Sequence, residues 1–574
     1  MATGVLALVA GILVVLGAGL GSAKETAARE GPGRNIESAG SESGETRAAS
    51  GSEAGESRAA SLASTARRRK PRRPDPNIVV VVTDDQTDAG FNQRTMPATW
   101  RLLAKKGSRF TTSYVTTPAC CPSRATFLTG QYTHNNGVSA NSSDFFDLVD
   151  PENILPAWLQ QGGYRTAHVG KYRYFFDSFE DPFVVLPGWS EWRTLVLPFP
   201  YYKYSLSLNG KRRFRRLSDR SHVTSVLNRQ ARRMVRRYVP KRKPLYLQLD
   251  HLAPHRGIGR PNDGRCNQTQ SAVPAPRDQF AFANEPLPRP PSVDEVDVSD
   301  KPSYIQRLPR ISDDAFQLLE LRYQCDLASL REVDRGVAGL VKALKRAGEL
   351  SNTAIIFTSD NGMLYGEHRI KRGKVVPYEP SARVPLAIRL PRHLRGEVGT
   401  NHEVTESVAN VDLAPTILRL AGAQPCISAQ ECRTLDGRSL VGLARGRPGA
   451  WPDQRSLLLE WNEAETASTV SGAWSCEYQA IRASGAPLGD GGNAALYVEN
   501  TVIPDENGVC KPGLELELYD LDGDPHQLEN LHPALPGSAA DKRQSRLRQE
   551  LEILGNCAGI KGRDLAPASG HFCS

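Results

Sequence analysis

Two cysteines, Cys120 and Cys121, stand side by side in the stretch TTPACCPSRATFLTG at residues 116–130. A disulfide between neighbouring cysteines needs a strained turn, and a zinc site with four cysteine ligands needs a second close pair, which the sequence lacks. A thiolate nucleophile of the protease type would be accompanied by a histidine on a nearby helix, and none is present. An ordinary disulfide, metal clip or thiol nucleophile therefore does not explain the pair.

Two other pairs of polar residues offer oxygen ligands, Asp84-Asp85 and Asp360-Asn361. Either pair alone also fits a cap or a turn after a strand. Taken together they supply four hard oxygen donors, which suit Ca²⁺ or Mg²⁺ better than Zn²⁺, and no histidine pair at zinc-ligand spacing accompanies them. The two pairs therefore predict a site for one divalent cation.

Both oxygen pairs follow apolar runs typical of buried strands, NIVVVVTDD at 77–85 and TAIIFTSDNG at 353–362. A third run, YRTAHVGK at 164–171, ends in Lys171. In open α/β sheets ligands bind just beyond the carboxyl ends of strands, so we expect these three strand ends to meet. The sequence thus predicts one site that combines the oxygen donors with a lysine.

From residue 77 onward, short β-branched runs alternate with helical stretches, which is typical of an α/β fold with a large central sheet flanked by helices. Further strands are predicted at 244–252 and 384–391. Helices are predicted at 96–106, at 313–348, at 412–421 with Asp412 as N-cap, and at 539–554.

Composition divides the chain into four parts. Residues 1–23 carry no charge and read as a signal peptide, which would stay in a membrane only if it were retained as an anchor. Residues 24–76 are poor in large apolar side chains, end in a basic run, and are expected to be a disordered linker. Residues 77–450 form the predicted catalytic domain, and the shorter strands and turns of 451–574 predict a smaller C-terminal α+β domain. We therefore expect a secreted or otherwise extracytoplasmic protein (periplasm, lysosome or medium).

Ten cysteines are present, and the eight outside the adjacent pair form an even set. In an exported chain such a set is most simply explained by disulfides, with Cys426–Cys432 and Cys557–Cys573 as the easiest local pairings.

The basic character of the chain, net +9 at pH 7, is concentrated at 211–243, where 14 basic residues accompany one acidic residue. Apolar residues such as Val223, Leu227 and Met234 recur there at helical spacing, so the arginines can simply be the solvated face of a surface helix. The alternative is that the segment attracts a sulfated polysaccharide by charge. Nucleic acid is not expected as a partner of an exported chain without a stacking motif.

The stretch CCPSRATFLTG resembles the signature of type I sulfatases, in which the first cysteine is oxidised to Cα-formylglycine. The resemblance continues in order along most of the chain, through VVVTDDQ, GYRTAHVGKY, APH at 253–255, TSDNG, KVVPYE at 374–379 and ELYDLDGDPHQLENL. It implies an alkaline-phosphatase-like sulfatase fold and a formylglycine-generating enzyme as a partner during maturation.

Carried over by position, the resemblance assigns the formylglycine to Cys120 and gives Arg124 the task of steadying its hydrate. It predicts one divalent cation, Ca²⁺ or alternatively Mg²⁺, whose ligands are Asp84, Asp85, Cys120, Asp360 and Asn361. It makes Lys171, His255 and Lys374 the sulfate clamp, with His255 or Lys374 delivering a proton to the departing alcohol.

The chain departs from the family pattern at Arg173, where arylsulfatases commonly have a histidine two positions after the strand lysine. The base for sulfate elimination is therefore unassigned, and His168 lies at the wrong spacing to replace it.

Finer features, including the doubled cysteine, GKY, LPGWSEW and YYKYSLSLNGK, resemble the N-acetylglucosamine-6-sulfatases and the related extracellular endosulfatases. They predict removal of 6-O-sulfate from N-acetylglucosamine or glucosamine units of sulfated glycans. A general arylsulfatase acting on aryl sulfates, a phosphonate or phosphodiester hydrolase, and an inactive polyanion-binding protein are the alternatives.

Overall fold

The run NIVVVVTD forms the central strand β1, Asn77–Asp84, and all eight of its residues are buried. A continuous β-branched run without alternation is what a strand covered on both faces requires. The computed structural model describes residues 75–573 apart from short internal segments, and this part belongs to one compact unit, Arg72–Ser574. The segments left out are 142–146, 173–181, 197, 199, 240–241, 260–263, 268–270, 397–398, 448, 450, 452–454, 464–474 and 485–493. The expected signal peptide at 1–23, nearly all of the expected linker at 24–76, and Arg173 lie outside the described residues.

Among the described residues, ten strands form the main sheet, two form a small ribbon, and four form a separate sheet near the C-terminus. The strands are β1 Asn77–Asp84, β2 Ser108–Phe110, β3 Ser113–Tyr114, β4 Arg165–Lys171, β5 Glu191–Val196, β6 Ser205–Leu208, β7 Lys211–Phe214, β8 Leu245–Pro254, β9 Thr353–Ser359, β10 Leu386–Arg389, β11 His402–Val404, β12 Val408–Ala409, β13 Leu457–Asn462, β14 Glu477–Ala483, β15 Ala495–Pro504 and β16 Cys510–Asp520.

The main sheet has the order β11-β2-β10-β9-β1-β8-β4-β5-β6-β7. Its centre, from β9 to β5, is parallel, so the carboxyl ends of these strands lie at one edge. Strands β10, β6 and β7 are antiparallel to their neighbours. The predicted α/β class with a large central sheet is confirmed, and each of the five predicted strands is present within a few residues of its expected bounds.

Helices cover both faces of the main sheet. Accordingly, the apolar residues of β1 belong to two separate core clusters. The helices are α1 Pro97–Thr99, α2 Cys120–Thr129, α3 Thr133–Asn136, α4 Leu155–Gln161, α5 Val223–Tyr238, α6 Ser303–Gln306, α7 Asp313–Arg346, α8 Glu379–Ala382, α9 Leu413–Ala421, α10 Val441–Ala444 and α11 Ala539–Leu554. Within the described residues, no helix is long and apolar enough to span a membrane.

Two local predictions are correct in position but differ in detail from the structure. The helix expected at 96–106 is a short α-helical turn followed by a wider π-helical turn, Trp100–Ala104. Asp412 occupies the N-cap position of α9 but makes no capping hydrogen bond. Its carboxylate instead accepts hydrogen bonds from the backbone of Ala409 and Arg438 and pairs with Arg455, because a buried carboxylate is satisfied best by a cation.

The C-terminal sheet is antiparallel throughout, in the order β13-β14-β15-β16, and α11 packs against it. Four disulfides are present: Cys266–Cys325, Cys426–Cys432, Cys476–Cys510 and Cys557–Cys573. The two pairings expected from sequence are therefore confirmed, and the thiols of Cys120 and Cys121 are not in disulfides. The domain boundary at 450 stays a prediction.

Candidate active site

Four adjacent parallel strands deliver polar groups to one edge of the main sheet. In the order β9-β1-β8-β4, their carboxyl ends carry Asp360, the Asp84-Asp85 pair, His255 and Lys171. The topology thus brings together residues that are up to 276 positions apart in sequence. The expectation that the polar strand ends meet is confirmed.

The acidic residues form the floor of this site. One oxygen each of Asp84, Asp85 and Asp360 lies within 4.8 Å of the others. Asp85 has a φ of 69°, a left-handed turn that redirects the chain directly after β1. Its backbone N–H donates to Asp360 Oδ1 at 3.2 Å, and Asn361 Nδ2 donates to Asp85 Oδ1 at 2.8 Å. The two oxygen pairs predicted from sequence are therefore in direct contact.

Cys120 lies at the first position of α2, against this floor. Its Sγ atom is 3.5 Å from Asp84 Oδ1, 2.9 Å from Lys374 Nζ and 3.6 Å from Lys171 Nζ. Burial raises the pKa of the Cys120 thiol, although the two lysines oppose the shift. As an unmodified thiol at neutral pH, Cys120 is thus not an activated thiolate.

Cys121 has different surroundings, because successive residues of a helix point about 100° apart. It belongs to the apolar core on one face of the main sheet, and its Sγ contacts the backbone oxygen of Asn141 at 3.7 Å. Only the first cysteine of the pair therefore faces the polar cluster.

Arg124 lies one helical turn after Cys120 and binds the floor from the side. Its Nε and Nη2 atoms donate to Asp360 Oδ2 at 2.9 and 2.8 Å, and Nη1 donates to the backbone oxygen of Lys171 at 2.8 Å. Burial would lower the pKa of Arg124, but Asp360 and Asp250 raise it above its ordinary value, so the guanidinium stays charged. Arg124 thus ties α2 to β4 and to the end of β9.

Two lysines cover the carboxylates. Lys171 Nζ contacts Asp84, and Lys374 Nζ donates to Asp85 Oδ1 at 2.5 Å and to Asn361 Oδ1 at 3.2 Å. Burial would lower the pKa of Lys374, but Asp85 and Cys120 raise it well above the usual range. Burial also raises the pKa of Asp85, yet Lys374 and His255 outweigh it and hold that carboxyl ionised.

His255 lies at the mouth of the cluster. Its side chain is 17% exposed, whereas those of Asp84 and Lys171 are fully buried. Its Nδ1 bonds the backbone oxygen of Arg256 at 2.7 Å, which leaves Nε2 facing the site, 4.0 Å from Asp85 Oδ2. Burial and the nearby Lys171 lower the pKa of His255 well below 6.5.

The donor set fits a hard divalent cation. Converging carboxylate oxygens already attract two ammonium groups, which shows that the cluster favours positive charge at its centre. A mainly oxygen environment suits Ca²⁺ or Mg²⁺. Asp84, Asp85, Asp360 and Asn361 would hold such an ion, with residue 120 beside it.

The sequence analysis did not identify Asp250 of β8, which lies behind Arg124. Its Oδ2 accepts from His168 Nε2 at 2.8 Å and from Gln248 Nε2 at 2.9 Å, while Oδ1 is 3.6 Å from Arg124 Nη1. Burial lowers the pKa of His168, whose Nδ1 also bonds Thr194. The signal for this network is the string of polar residues inside the buried run LYLQLDHLAP.

A second unanticipated group flanks Lys374. Arg372 Nη2 lies 3.2 Å from Asp326 Oδ2, and the Tyr365 hydroxyl donates to the same oxygen at 2.7 Å. Asp326 and Asp85 both raise the pKa of Arg372 against the effect of burial. Arg372 also helps to lower the pKa of Asp85, so its positive charge acts on the floor of the site.

Comparison with known proteins gives two family matches. The family described as Sulfatase matches residues 76–423, and the family described as N-sulphoglucosamine sulphohydrolase, C-terminal, matches residues 366–482. The first match covers more than half of the chain and contains every residue of the cluster.

Similar proteins include an extracellular sulfatase SULF-1 homolog of Drosophila melanogaster, 33% identical over 423 residues that cover 71% of this chain and 35% of the fly protein. They also include an N-acetylglucosamine-6-sulfatase of Homo sapiens, 31% identical over 381 residues that cover 65% of this chain and 64% of the human protein. The chain thus spans about a third of the fly protein's length.

Among solved structures, one in complex with its substrate D-glucosamine-2-N,6-O-disulfate aligns with a TM-score of 0.64 and 22% identity over 83% of this chain and 97% of that one. At this identity the similarity establishes the fold, which agrees with the alkaline-phosphatase-like sulfatase architecture expected from sequence.

Proposed function

The chain belongs to the sulfatase family, and from this membership and the geometry of the site we propose that it is a sulfate-ester hydrolase. We propose that it uses Cα-formylglycine made from Cys120 and one divalent cation, Ca²⁺ or Mg²⁺. The observation that carries the proposal is the position of Cys120. It is the one member of the cysteine pair that contacts Asp84, Lys171 and Lys374, while Cys121 faces the core.

A formylglycine hydrate supplies two geminal hydroxyls, one to attack sulfur and one to expel sulfate afterwards. A bound cation supplies Lewis acidity that polarises the sulfuryl group and favours the ionised hydrate. Asp84, Asp85, Asp360 and Asn361 hold the cation in this proposal. Arg124 keeps Asp360 in place through two hydrogen bonds and lies one turn from residue 120.

The sulfate group binds between the two lysines. Lys171 and Lys374 point their ammonium groups to one side of residue 120 and neutralise the negative charge that accumulates on sulfate in the transition state. His255 lies where the alcohol departs, because its Nδ1 is engaged by Arg256 and its Nε2 faces the site. Proton delivery to the leaving alcohol is assigned to Lys374 Nζ, or to His255 Nε2 once the negative charge of a bound sulfate raises the pKa of His255 and protonates the ring.

For the substrate we propose 6-O-sulfated N-acetylglucosamine or glucosamine units of a sulfated glycan. The human relative is named an N-acetylglucosamine-6-sulfatase, and the structural neighbour binds a 6-O-sulfated glucosamine. The fly relative is named an extracellular sulfatase, which supports an extracytoplasmic location. Maturation by a formylglycine-generating enzyme during export is a further part of the proposal. Removal of residues 1–23 as a signal peptide and the catalytic domain at 77–450 are part of the same proposal.

Mass analysis of the peptide that contains Cys120 tests the nucleophile. Material from a host with the oxidising enzyme should show formylglycine at position 120, and Cys120→Ala should lose turnover. Cys121→Ala is the matched control, because it changes the adjacent cysteine and should retain both formylglycine and activity. An intact Cys120 thiol in material that turns over sulfate esters would overturn the proposal.

Parallel assays separate the candidate reactions. N-acetylglucosamine-6-sulfate should be hydrolysed with a higher kcat/KM than an aryl sulfate or a phosphodiester. A preference for the aryl sulfate would replace the glycan assignment, and a preference for the phosphodiester would replace the sulfatase assignment. Absence of turnover despite formylglycine and bound cation would favour the inactive polyanion-binding alternative.

A further inference from the structure

Helices α5 and α7 lie side by side and enclose a groove of about 380 Å³ near their C-terminal ends. Its charged walls are Arg232 and Arg236 from α5 and Lys342 and Arg346 from α7. Its floor consists of small residues, and a side chain at Gly339 would meet Arg232 at 3.0 Å. Four cations therefore surround one depression between the two helices.

Two more grooves lie beside it along α5. One, of about 530 Å³, is lined by Arg193, Arg233, Arg236, Arg237 and Met234. The other, of about 400 Å³, is lined by Arg215, Arg216, Arg220 and Arg229 together with Phe214 and two serines. We call the three grooves together the basic face. Among the described residues that line them, none is a carboxylate.

Amphipathicity explains why α5 has a charged side but not why the charges are crowded. The apolar residues of α5, such as Leu227 and Met234, pack toward the sheet and α7, which leaves its arginines outward. Lys342, Arg346 and Arg193 come from other elements and add to the same face. A solvated helix alone would not collect cations from α7 and β5.

The cations of the basic face repel one another. Burial lowers the pKa of Arg232, and Arg236 lowers it further. Burial also lowers the pKa of Arg229, with Arg215 and Arg232 adding to the effect. The nearby carboxylate Glu332 is already bound by Ser225, Arg277 and Arg335. A bound polyanion would relieve this repulsion.

The groove between the C-terminal ends of α5 and α7 is distinct from the active site. Helix α5 ends at Tyr238, shortly before β8 begins, and α7 ends at Arg346, shortly before β9 begins. Both C-terminal ends therefore lie near the starts of these strands, while His255 and Asp360 follow their ends. At about 3.3 Å per residue, the seven residues of β9 and the ten of β8 separate the two regions by roughly 20 to 30 Å.

We propose that the basic face binds a chain of sulfated polysaccharide, and that the groove between α5 and α7 holds part of this chain at a position separate from the active site. The identity of the polyanion rests on the proposed function, because a glycan sulfatase that holds its polymer at a second site keeps further sulfate esters near the catalytic edge. Guanidinium groups bind sulfate oxygens through two parallel hydrogen bonds, and three grooves in succession suit a linear chain with repeated sulfates. Phe214 is the single aromatic lining residue, whereas proteins that bind single-stranded nucleic acid stack successive bases on several aromatics.

The test compares the full chain with the quadruple variant Arg232→Gln, Arg236→Gln, Lys342→Gln, Arg346→Gln, using a size-defined heparin oligosaccharide as the probe. We expect the variant to bind at least tenfold more weakly at about 150 mM salt. The slope of log affinity against log salt should fall by about three to four, roughly one released counterion for each lost cation. A double variant, Arg236→Gln with Lys342→Gln, changes exposed residues only and provides the same test if the quadruple variant folds poorly.

The matched control is Lys105→Gln, Lys106→Gln, Lys542→Gln, Lys561→Gln, which removes the same charge from exposed positions outside the three grooves. It should bind heparin nearly as the wild type does. Equal losses in the two variants, or no loss in the groove variants, would overturn the proposal. Tighter binding to single-stranded RNA or to phosphatidylserine vesicles than to heparin at equal salt would overturn the choice of polyanion.

The outcomes also separate this proposal from the proposed function. Hydrolysis of monosaccharide sulfate by the groove variants should equal that of the wild type, since no active-site residue is changed. Loss of heparin binding with unchanged monosaccharide turnover supports both proposals. Heparin binding at the face in a chain that hydrolyses no sulfate ester would retain the binding surface and reject the sulfatase.

Discussion

The active site and the basic face are both rich in charged residues, but they are built by opposite rules. At the active site, three carboxylates of the floor meet Arg124, Lys171 and Lys374, and nearly all of these side chains are buried. On the basic face, arginines and lysines stand at the surface with no carboxylate among the described residues that line its grooves. Burial makes an unpaired charge too costly, whereas water and salt allow exposed charges of one sign to accumulate.

The difference separates what each region can do. Paired buried charges hold a fixed geometry, so they suit catalysis on one bond. Exposed charges of one sign offer a broad attraction that depends on salt, so they suit a long polyanion.

Removing one acidic charge from the active-site floor should have the largest effect. Asp360→Asn is expected to lose the divalent cation and to lower kcat by at least about a thousandfold, because the Lewis acid contributes several kcal/mol to the transition state. Metal content measured by plasma mass spectrometry, together with turnover, checks this. Asp505→Asn, in an exposed pair with Lys511, is the control and should change neither quantity. Normal turnover by Asp360→Asn would refute the metal assignment.

Arg455 allows a test, away from the active site, of the rule that a buried charge needs an oppositely charged partner. Its Nη1 atom is buried 2.6 Å from Asp412 Oδ2. Arg455→Met leaves the carboxylate buried without its cation and should lower the free energy of unfolding by about 3 to 5 kcal/mol. Arg236→Met on the basic face should change it by less than about 0.5 kcal/mol. Urea unfolding measures the loss of unfolding free energy in both variants. Similar losses would contradict the rule that buried charges need partners.

At His134, the stabilisation from charge pairing depends on pH. Burial alone would lower the pKa of His134, but the Glu460 carboxylate, 3.0 Å away, raises it to about 9. Because this value lies above the unfolded value, the stabilisation is complete below about pH 6.5 and is lost as pH rises through 9, with an upper limit of about 3 kcal/mol. His134→Gln should therefore destabilise the protein strongly at pH 6 and hardly at all at pH 10. An unfolding difference that does not vary with pH would contradict this.

Salt should affect the two regions unequally. Between about 50 and 200 mM salt, heparin affinity should fall about a hundredfold if four sulfates are contacted at the basic face. Over the same range, kcat/KM for a monosaccharide sulfate should change by less than about threefold, because buried charges are screened little. A parallel decline of both quantities would mean that the two regions act as one.

Local sequence determined most of the fold and most of the site. The five predicted strands are mainly buried apolar runs, and three of them end in abrupt changes to polar residues that are visible in the sequence. Near pairs such as Cys426–Cys432 are also readable, because six residues of separation bring the sulfurs together with little loss of entropy.

Other features were decided by contacts between distant parts of the chain. Asp412 looked like a helix cap but is satisfied by Arg455, and the helix expected at 96–106 widens into a π turn that closes against the sheet. The sheet also extends through β6 and β7, whose short polar strands have no strong pattern of their own.

The motifs of the sequence predicted which residues are candidates for the chemistry, because motif residues keep their identity wherever the chain places them. Only the tertiary structure decided that Asp250 and His168 support Arg124 from behind, since this depends on β4 and β8 lying side by side. Only the tertiary structure placed Lys342 and Arg346 beside the arginines of α5, at the edge of the sheet opposite the active site. Both arrangements come from long-range packing, which local residue patterns do not encode.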